Sequence, residues 1–461
     1  MGKLLKNLTK KEIILALICI SLVTFHVWLE LRIPDYMSGI TKLVQTEGSQ
    51  MSEILKQGGL MLICAFISLV CNIVVGFFSA RVASSFSATL RKKIFEKVEN
   101  MGIAEVKKFS TSSLITRTTN DVMQVEALIG MGLHAMVKAP VMAVSAIFKI
   151  LDKGFEWSIL TACCVSILLS VVITLMIIVL PRFEKVQKLI DKINGVTREN
   201  LSGIRVIRAF NAEKYQTNKF KEVNDDLTNM QLFNQRCFAL MNPVMNLVHH
   251  ALVLGIYIIG AILISNAGML EKITLFSNMV VFSSYGMHVI MSFLMLSMIF
   301  MMIPRAQISA NRINEVLDEE ISVVEGTFDG ETSEVGTVEF KNVSFKYPDA
   351  DEYILKNISF KVNKGETIAF IGSTGSGKST LINLVPRFYD ATDGEVLVDG
   401  INVREYTTEA LNNKLGYVPQ KAVMFTGTIE ENVSYGDNGK GDISLEKVKE
   451  AIEVAQGKDF V

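Results

Sequence analysis

No C-x-x-C pair occurs in the 461 residues; the six cysteines (Cys19, Cys64, Cys71, Cys163, Cys164 and Cys237) sit in or beside apolar runs. That placement speaks against a disulfide framework and against a cysteine-held metal. Charge of one sign is also missing. The formal net charge is -1 and no basic stripe stands out, so a nucleic-acid partner is not expected. No small-residue cleavage site follows the lysine-bearing start (Lys3, Lys6, Lys10, Lys11), and the first apolar run is therefore expected to be an uncleaved span. No internal repeat is visible. Above all, the first 300 or so residues contain long stretches without charge. With 49% hydrophobic residues and a mean hydropathy of +0.35, this composition places the chain among membrane proteins.

A spanning helix needs about 20 mainly apolar residues. Six stretches qualify or nearly so, and spans are placed at about 13–33, 57–81, 128–150, 157–181, 237–265 and 273–304. Glu30 and Arg32 bound the apolar part of the first, and Lys138 interrupts the third. Between spans two and three lie Arg81, Arg91, Lys92, Lys93, Lys97, Lys107, Lys108 and Arg117, and eleven more cations fall between spans four and five. The opposite loops hold little beyond Lys153 and Lys272. The positive-inside rule then puts both termini and both long loops in the cytoplasm. Those loops have helical patterning with few Gly or Pro breaks, so they are expected to prolong the membrane helices by roughly 30 Å or more.

Residues 305–320 continue as a polar helix, and residues 321–335, rich in Glu, Gly, Thr and Ser, are expected to form a linker. From residue 336 short alternating segments predict strands at 337–347, 354–362, 367–371, 395–398 and 415–418. Within this region Gly372, Ser373, Thr374, Gly375, Ser376, Gly377, Lys378, Ser379 and Thr380 fit G-x-x-x-x-G-K-[ST] without a mismatch. Glycines let successive N–H groups converge on phosphate oxygens, Lys378 would reach the β/γ-phosphates, and the Ser379 hydroxyl would face Mg²⁺. A Gly/Ser turn that fits by chance is the competing explanation. The apolar segment before the loop and the helical one after it argue for a nucleotide site, with ATP and Mg²⁺ as cofactors.

Taken together, these residues resemble the half-size ABC exporters over nearly the whole chain. The resemblance implies an α-helical membrane domain of six helices with long cytoplasmic extensions, fused to a partial α/β P-loop NTPase domain. It divides the chain into 1–320, a linker at 321–335, and the N-terminal part of a nucleotide-binding domain at 336–461. By the same resemblance Tyr347 would stack on adenine. Gln420, 42 residues after Lys378 in Tyr-Val-Pro-Gln, would be the catalytic-site glutamine that contacts Mg²⁺ and the attacking water. Residues 110–121 and 199–215 are similar to the two coupling regions that dock on nucleotide domains. Two polar helix turns at hairpin tips would look the same in sequence.

One departure limits the likeness. Leu201-Ser202-Gly203 matches the start of the family's signature, but Ile204 and Arg205 follow and the position precedes the P-loop. Residues 421–461 contain neither that signature nor an apolar strand ending in Asp-Glu. The polypeptide as given is therefore read as truncated within its nucleotide domain and is expected not to hydrolyse ATP efficiently.

In the membrane half, Met287, Met291, Met295, Met298 and Met302 lie close to one helical face, which suits either varied apolar substrates or plain packing. Lys138, His249, His250 and His288 are intramembrane polar residues expected near a water-filled pathway, with at most one of the adjacent histidines facing it squarely. No Asp or Glu lies mid-span in helices three to six, which disfavours a proton relay.

An ATP-driven exporter of an amphipathic or lipophilic small molecule in the cytoplasmic membrane fits best. It would work as a dimer with a second half-transporter, surrounded by lipid. An ATP-gated channel or receptor without turnover, a P-loop enzyme such as a kinase tethered to unrelated spans, and an importer remain alternatives.

Overall fold

The computed structural model describes residues 1–46, 48–151, 154–436 and 443–461. Lys153 and residues 437–442 of the nucleotide region lie outside them. The described residues form two compact units: Met1–Lys92 with Arg117–Asn314, and Lys93–Thr116 with Glu315–Val461.

Helices make up the first unit. After a one-turn α1 (Gly2–Leu5) come α2 (Lys10–Gln45), α3 (Met51–Glu99), α4 (Ile103–Phe109) and α5 (Thr111–Thr116). A π-turn at Arg117–Asp121 then leads into α6 (Val122–Leu151), α7 (Phe155–Ser202), α8 (Ile204–Ala209), α9 (Glu213–Ala239), α10 (Met241–Asn266) and α11 (Met269–Asp318). Of these, α4 and α5 belong to the second unit. Thr9 starts α2 with a capping box: its hydroxyl accepts from Glu12 N (3.3 Å) while the Glu12 carboxylate accepts from Thr9 N (2.7 Å). Among the described residues six helical stretches are long and apolar enough to cross a membrane, and each expected span lies inside one of them. The Lys/Arg-rich loops are helical too, so α3 and α7 run for 49 and 48 residues.

The core of this unit gathers around Trp157, Phe282 and Tyr285, all fully buried. Trp157 Nε1–H donates to Ile256 O (3.1 Å), tying α7 to α10. The Tyr285 hydroxyl lies 3.1 Å from Leu31 O and 2.7 Å from Asp35 Oδ1, tying α11 to α2. Truncating such a buried aromatic costs about 3–5 kcal/mol, so these contacts fix which helix faces meet.

In the second unit β1 (Val338–Phe345), β2 (Leu355–Val362), β3 (Asp393–Val398) and β4 (Ile401–Asn402) form an antiparallel sheet in the order β2-β1-β3-β4. Asp399 (φ 51°) and Gly400 (φ 78°) turn the chain between β3 and β4, the left-handed pair that a tight hairpin requires. Asp399 is also a structural anchor. Its Oδ1 accepts from Gly336 N (2.6 Å) and Thr337 N (3.0 Å), and its Oδ2 pairs with Lys414 Nζ (3.0 Å). Burial opposes the charge, but the Thr337 N–H, Lys414 and the Gly336 N–H together hold the carboxyl below the usual carboxylate range. Within 321–335, Gly326 N donates to Tyr406 O (3.0 Å) and Phe328 N to Glu405 O (2.8 Å).

Helices α12 (Lys378–Leu384), α13 (Thr408–Asn412), α14 (Ile429–Val433) and α15 (Leu445–Val454) complete the unit. Two expected strands do not form: residues 367–371 and 415–418 carry no ladder. A strand exists only through its neighbours, and here neither segment has one among the described residues. Ile371 is 96% and Val418 92% exposed, side chains that inner strands would bury.

Candidate functional site

The glycine loop leads directly into α12. Gly375 (φ 85°) and Gly377 (φ 88°) both take the left-handed conformation, and Gly377 caps the helix. No heavy atom lies within 4 Å of where a Gly375 Cβ would stand, so that position opens on free space. At Gly377 a Cβ would come within 2.9 Å of Leu355 Cδ2, which packs the turn against β2. Lys378 Nζ donates to the carbonyls of Gly372 (2.9 Å) and Ser373 (2.8 Å), keeping the ammonium on the loop. Ser373, Thr374, Ser376 and Ser379 are exposed, while Thr380 is buried beneath the loop.

Tyr347, from the end of β1, reaches the same helix. Its hydroxyl lies 3.1 Å from Thr380 Oγ1. Its ring meets Phe345 and Tyr389 edge-on, with centroids 5.0 and 5.2 Å apart. The structure thus brings Tyr347 to the P-loop helix. Gln420 is exposed, and among the described residues no hydrogen bond joins it to the loop. Its segment is tethered instead through Tyr417, whose hydroxyl donates to Asn383 Oδ1 of α12 (3.1 Å).

A contact that the sequence placed elsewhere also meets this site. Residues 110–121 were the expected docking region; α4, just before them, packs on the nucleotide core through Ile103 and Ala104, and α5 within them belongs to the same unit. Lys107 donates to the Tyr389 hydroxyl (3.2 Å), and its ammonium lies 5.6 Å from the Tyr347 ring centroid. Glu105 accepts from Ser322 N (3.1 Å), and Lys108 pairs with Glu319 at 2.5 Å. At the tip of the other hairpin, α8 and its flanks expose Leu201 (71%), Phe210 (78%) and Tyr215 (69%).

Among the intramembrane candidates, Lys138 and His288 come together in one cluster, whereas His249 and His250 stand apart on α10. Their rings lie 5.3 Å apart, His249 half-buried and His250 exposed. Met287, Met291 and Met298 are exposed on α11. Sequence reasoning missed Glu30 as a member of the cluster because it stood at the end of an apolar run. The helix continues past it to Gln45, and its carboxylate meets Lys138 Nζ at 3.1 Å.

Six membrane-length helices and a P-loop unit on one chain define a multi-pass membrane protein with a nucleotide-binding domain. Two family descriptions match in the same order: "ABC transporter transmembrane region" over residues 14–293 and "ABC transporter" over residues 355–460. The chain belongs to the ABC transporters, in the half-exporter arrangement. It is 36% identical to an ABC transporter ATP-binding protein of Mycobacterium tuberculosis, across 88% of this chain and 70% of that relative. It is 28% identical to an ATP-dependent lipid A-core flippase of Pseudomonas aeruginosa, across 84% of this chain and 62% of the relative. A multidrug resistance ABC transporter ATP-binding and permease protein of Lactococcus lactis is also 28% identical, across 86% and 65%.

Proposed function

We propose that this chain is one half of an ATP-driven exporter that moves an amphipathic or lipophilic molecule across the cytoplasmic membrane by alternating access. The carrying observation is the joining of six membrane-length helices to a glycine loop with Lys378 at the head of α12. Residues 1–320 would form the membrane domain, 321–335 the linker and 336–461 the nucleotide-binding region. The printed names of two relatives, a lipid A-core flippase and a multidrug transporter, favour an amphiphilic cargo.

The residues fit the cofactors. The open position at Gly375 leaves room for a phosphate where a Cβ would intrude, and Lys378 and the loop N–H groups supply positive potential. Gly372 to Thr380 would cradle the phosphates, and Tyr347 would offer a ring to the base. Mg²⁺, a hard cation that prefers oxygen, would be held by the Ser379 hydroxyl and the Gln420 amide oxygen. Bound there, it would neutralise phosphate charge. Gln420 would also orient water.

A second half-transporter would supply the facing wall, and helix tips such as α4 and α8 would carry nucleotide-domain motion to the spans.

Equilibrium binding of a fluorescent ATP analogue to the full chain in nanodiscs tests the site. Binding that strengthens with Mg²⁺ and collapses in Lys378→Ala is expected, and binding indifferent to that change would falsify the assignment. Export itself requires ATP-driven accumulation of an amphiphilic dye in inside-out vesicles carrying the chain with a second half-transporter. Movement the other way would mark an importer.

A further inference from the structure

Inside the helical unit, α2, α6 and α11 bring five ionisable side chains together. Glu30 Oε2 lies 3.1 Å from Lys138 Nζ and 3.6 Å from His26 Nδ1. His134 interacts electrostatically with the same pair, and so does His288 from α11. His26 is 5% exposed. Two of the buried atoms, Glu30 Oε2 and His26 Nδ1, have no hydrogen-bond partner: the Lys138 ammonium is close to the carboxylate but not aligned for a hydrogen bond. Buried polar atoms left in this condition call for an explanation, and an acceptor pair facing one pocket calls for a donor. Ionisable groups inside a helical membrane bundle are costly and mark binding or conduction sites.

The charge balance says what kind of donor. With neutral imidazoles the cluster carries one carboxylate and one ammonium, summing to zero. A lone cation that captured Glu30 would strand the Lys138 charge, and a lone anion that captured Lys138 would strand Glu30. Stranding a buried charge is far more costly than exchanging its partner. A ligand carrying both an ammonium and an anion can exchange partners with the pair and leave nothing uncompensated. Its ammonium would meet the Glu30 carboxylate, and its anion would meet Lys138. Among the described residues no group of three or more His, Cys, Asp or Glu is arranged to hold a metal ion.

We propose that the Glu30–Lys138 pair, with His26, His134 and His288 around it, is a binding site for the zwitterionic headgroup of an amphiphile. This deepens the export assignment, since it names the class of cargo, and it rests on that assignment for its physiological meaning.

The test uses the full chain in nanodiscs of phosphatidylglycerol, which contain no zwitterionic lipid. Three probes with matched twelve-carbon chains are titrated: lysophosphatidylethanolamine, dodecyl phosphate and dodecylammonium. The zwitterion should bind about tenfold or more tighter than either singly charged probe, since only it leaves no buried charge unpaired. Glu30→Gln and Lys138→Met should each erase the preference. Glu30→Gln combined with Lys138→Gln leaves no unpaired charge to disturb folding, and it should erase the preference as well. Glu30→Lys combined with Lys138→Glu restores a pair and should recover most of it. Equal binding of a singly charged probe by the native chain, or a preference surviving in the doubly neutral variant, overturns the proposal. If the zwitterion preference fails while Lys378-dependent nucleotide binding stands, this proposal alone falls. If nucleotide binding fails while the preference stands, the headgroup site survives and the export assignment falls.

Discussion

The Lys107 ammonium lies 5.6 Å from the centroid of the Tyr347 ring, so a residue of α4 touches the aromatic side chain proposed to meet the nucleotide base. A cation over an exposed ring contributes about 0.5–1 kcal/mol, less than the roughly 1–3 kcal/mol of a base stacked on such a ring.

Tyr347→Ala is expected to weaken binding of the fluorescent ATP analogue by about tenfold to a hundredfold, the range for losing one base–aromatic stack. Tyr347→Phe removes only the hydroxyl contact with Thr380 and should stay within about threefold of the native chain. Isotherms on the two variants decide it. If Tyr347→Ala binds as well as Tyr347→Phe, the ring has no role in holding the base.

Two glycines of the loop should respond differently to the same substitution. Gly375→Ala meets no atom within 4 Å and carries only left-handed strain, about 1–2 kcal/mol, yet its methyl group projects where phosphate is proposed to sit. It should lose nucleotide binding while unfolding only slightly earlier. Gly377→Ala adds contacts of 2.9 Å to Leu355 Cδ2 and 3.0 Å to Ile354 Cγ2, and should lower both binding and thermal stability. Differential scanning fluorimetry beside the binding assay separates them. A larger stability loss at Gly375 than at Gly377 would contradict the packing of the turn.

Asp399 makes stability depend on acid. Its carboxyl is held below the ordinary aspartate value of about 3.9, so the stabilisation it provides is complete above that pH. It is lost as pH falls through the lower value that the folded chain imposes. Asp399→Asn tolerates the left-handed backbone but weakens the grip on Lys414, and should cost about 1–3 kcal/mol at neutral pH. Denaturation curves from pH 6 to pH 2.5 should show a shallower acid dependence in the variant. Parallel curves would show that the carboxylate contributes nothing.

The six long helices were legible because apolar length and the bias of Lys and Arg are local properties of the chain. The glycine loop was legible for the same reason: its spacing is itself the geometry. Pairing was less accessible. Nothing in 367–371 or 415–418 shows whether a neighbouring strand lies alongside, and both remain without a ladder here. Glu30 ended an apolar run and so marked a boundary, whereas its partner lies 108 residues further along the chain in α6. The α4 contact escaped because Ile103 and Ala104 carry no motif, only an apolar surface that fits the nucleotide core.

Helix α7 has mechanical consequences of its own. At 1.5 Å per residue its 48 residues run about 72 Å along the helix, with Pro181 removing a backbone hydrogen bond partway. One end is pinned where Trp157 is buried and bonded to Ile256, and the far end carries the exposed Leu201 beside α8. Moving as one piece, the helix would swing its far end by about 6 Å for a tilt of about 5° at the pinned end, and Pro181 is where that motion would bend instead. A displacement of that size equals about one helical turn.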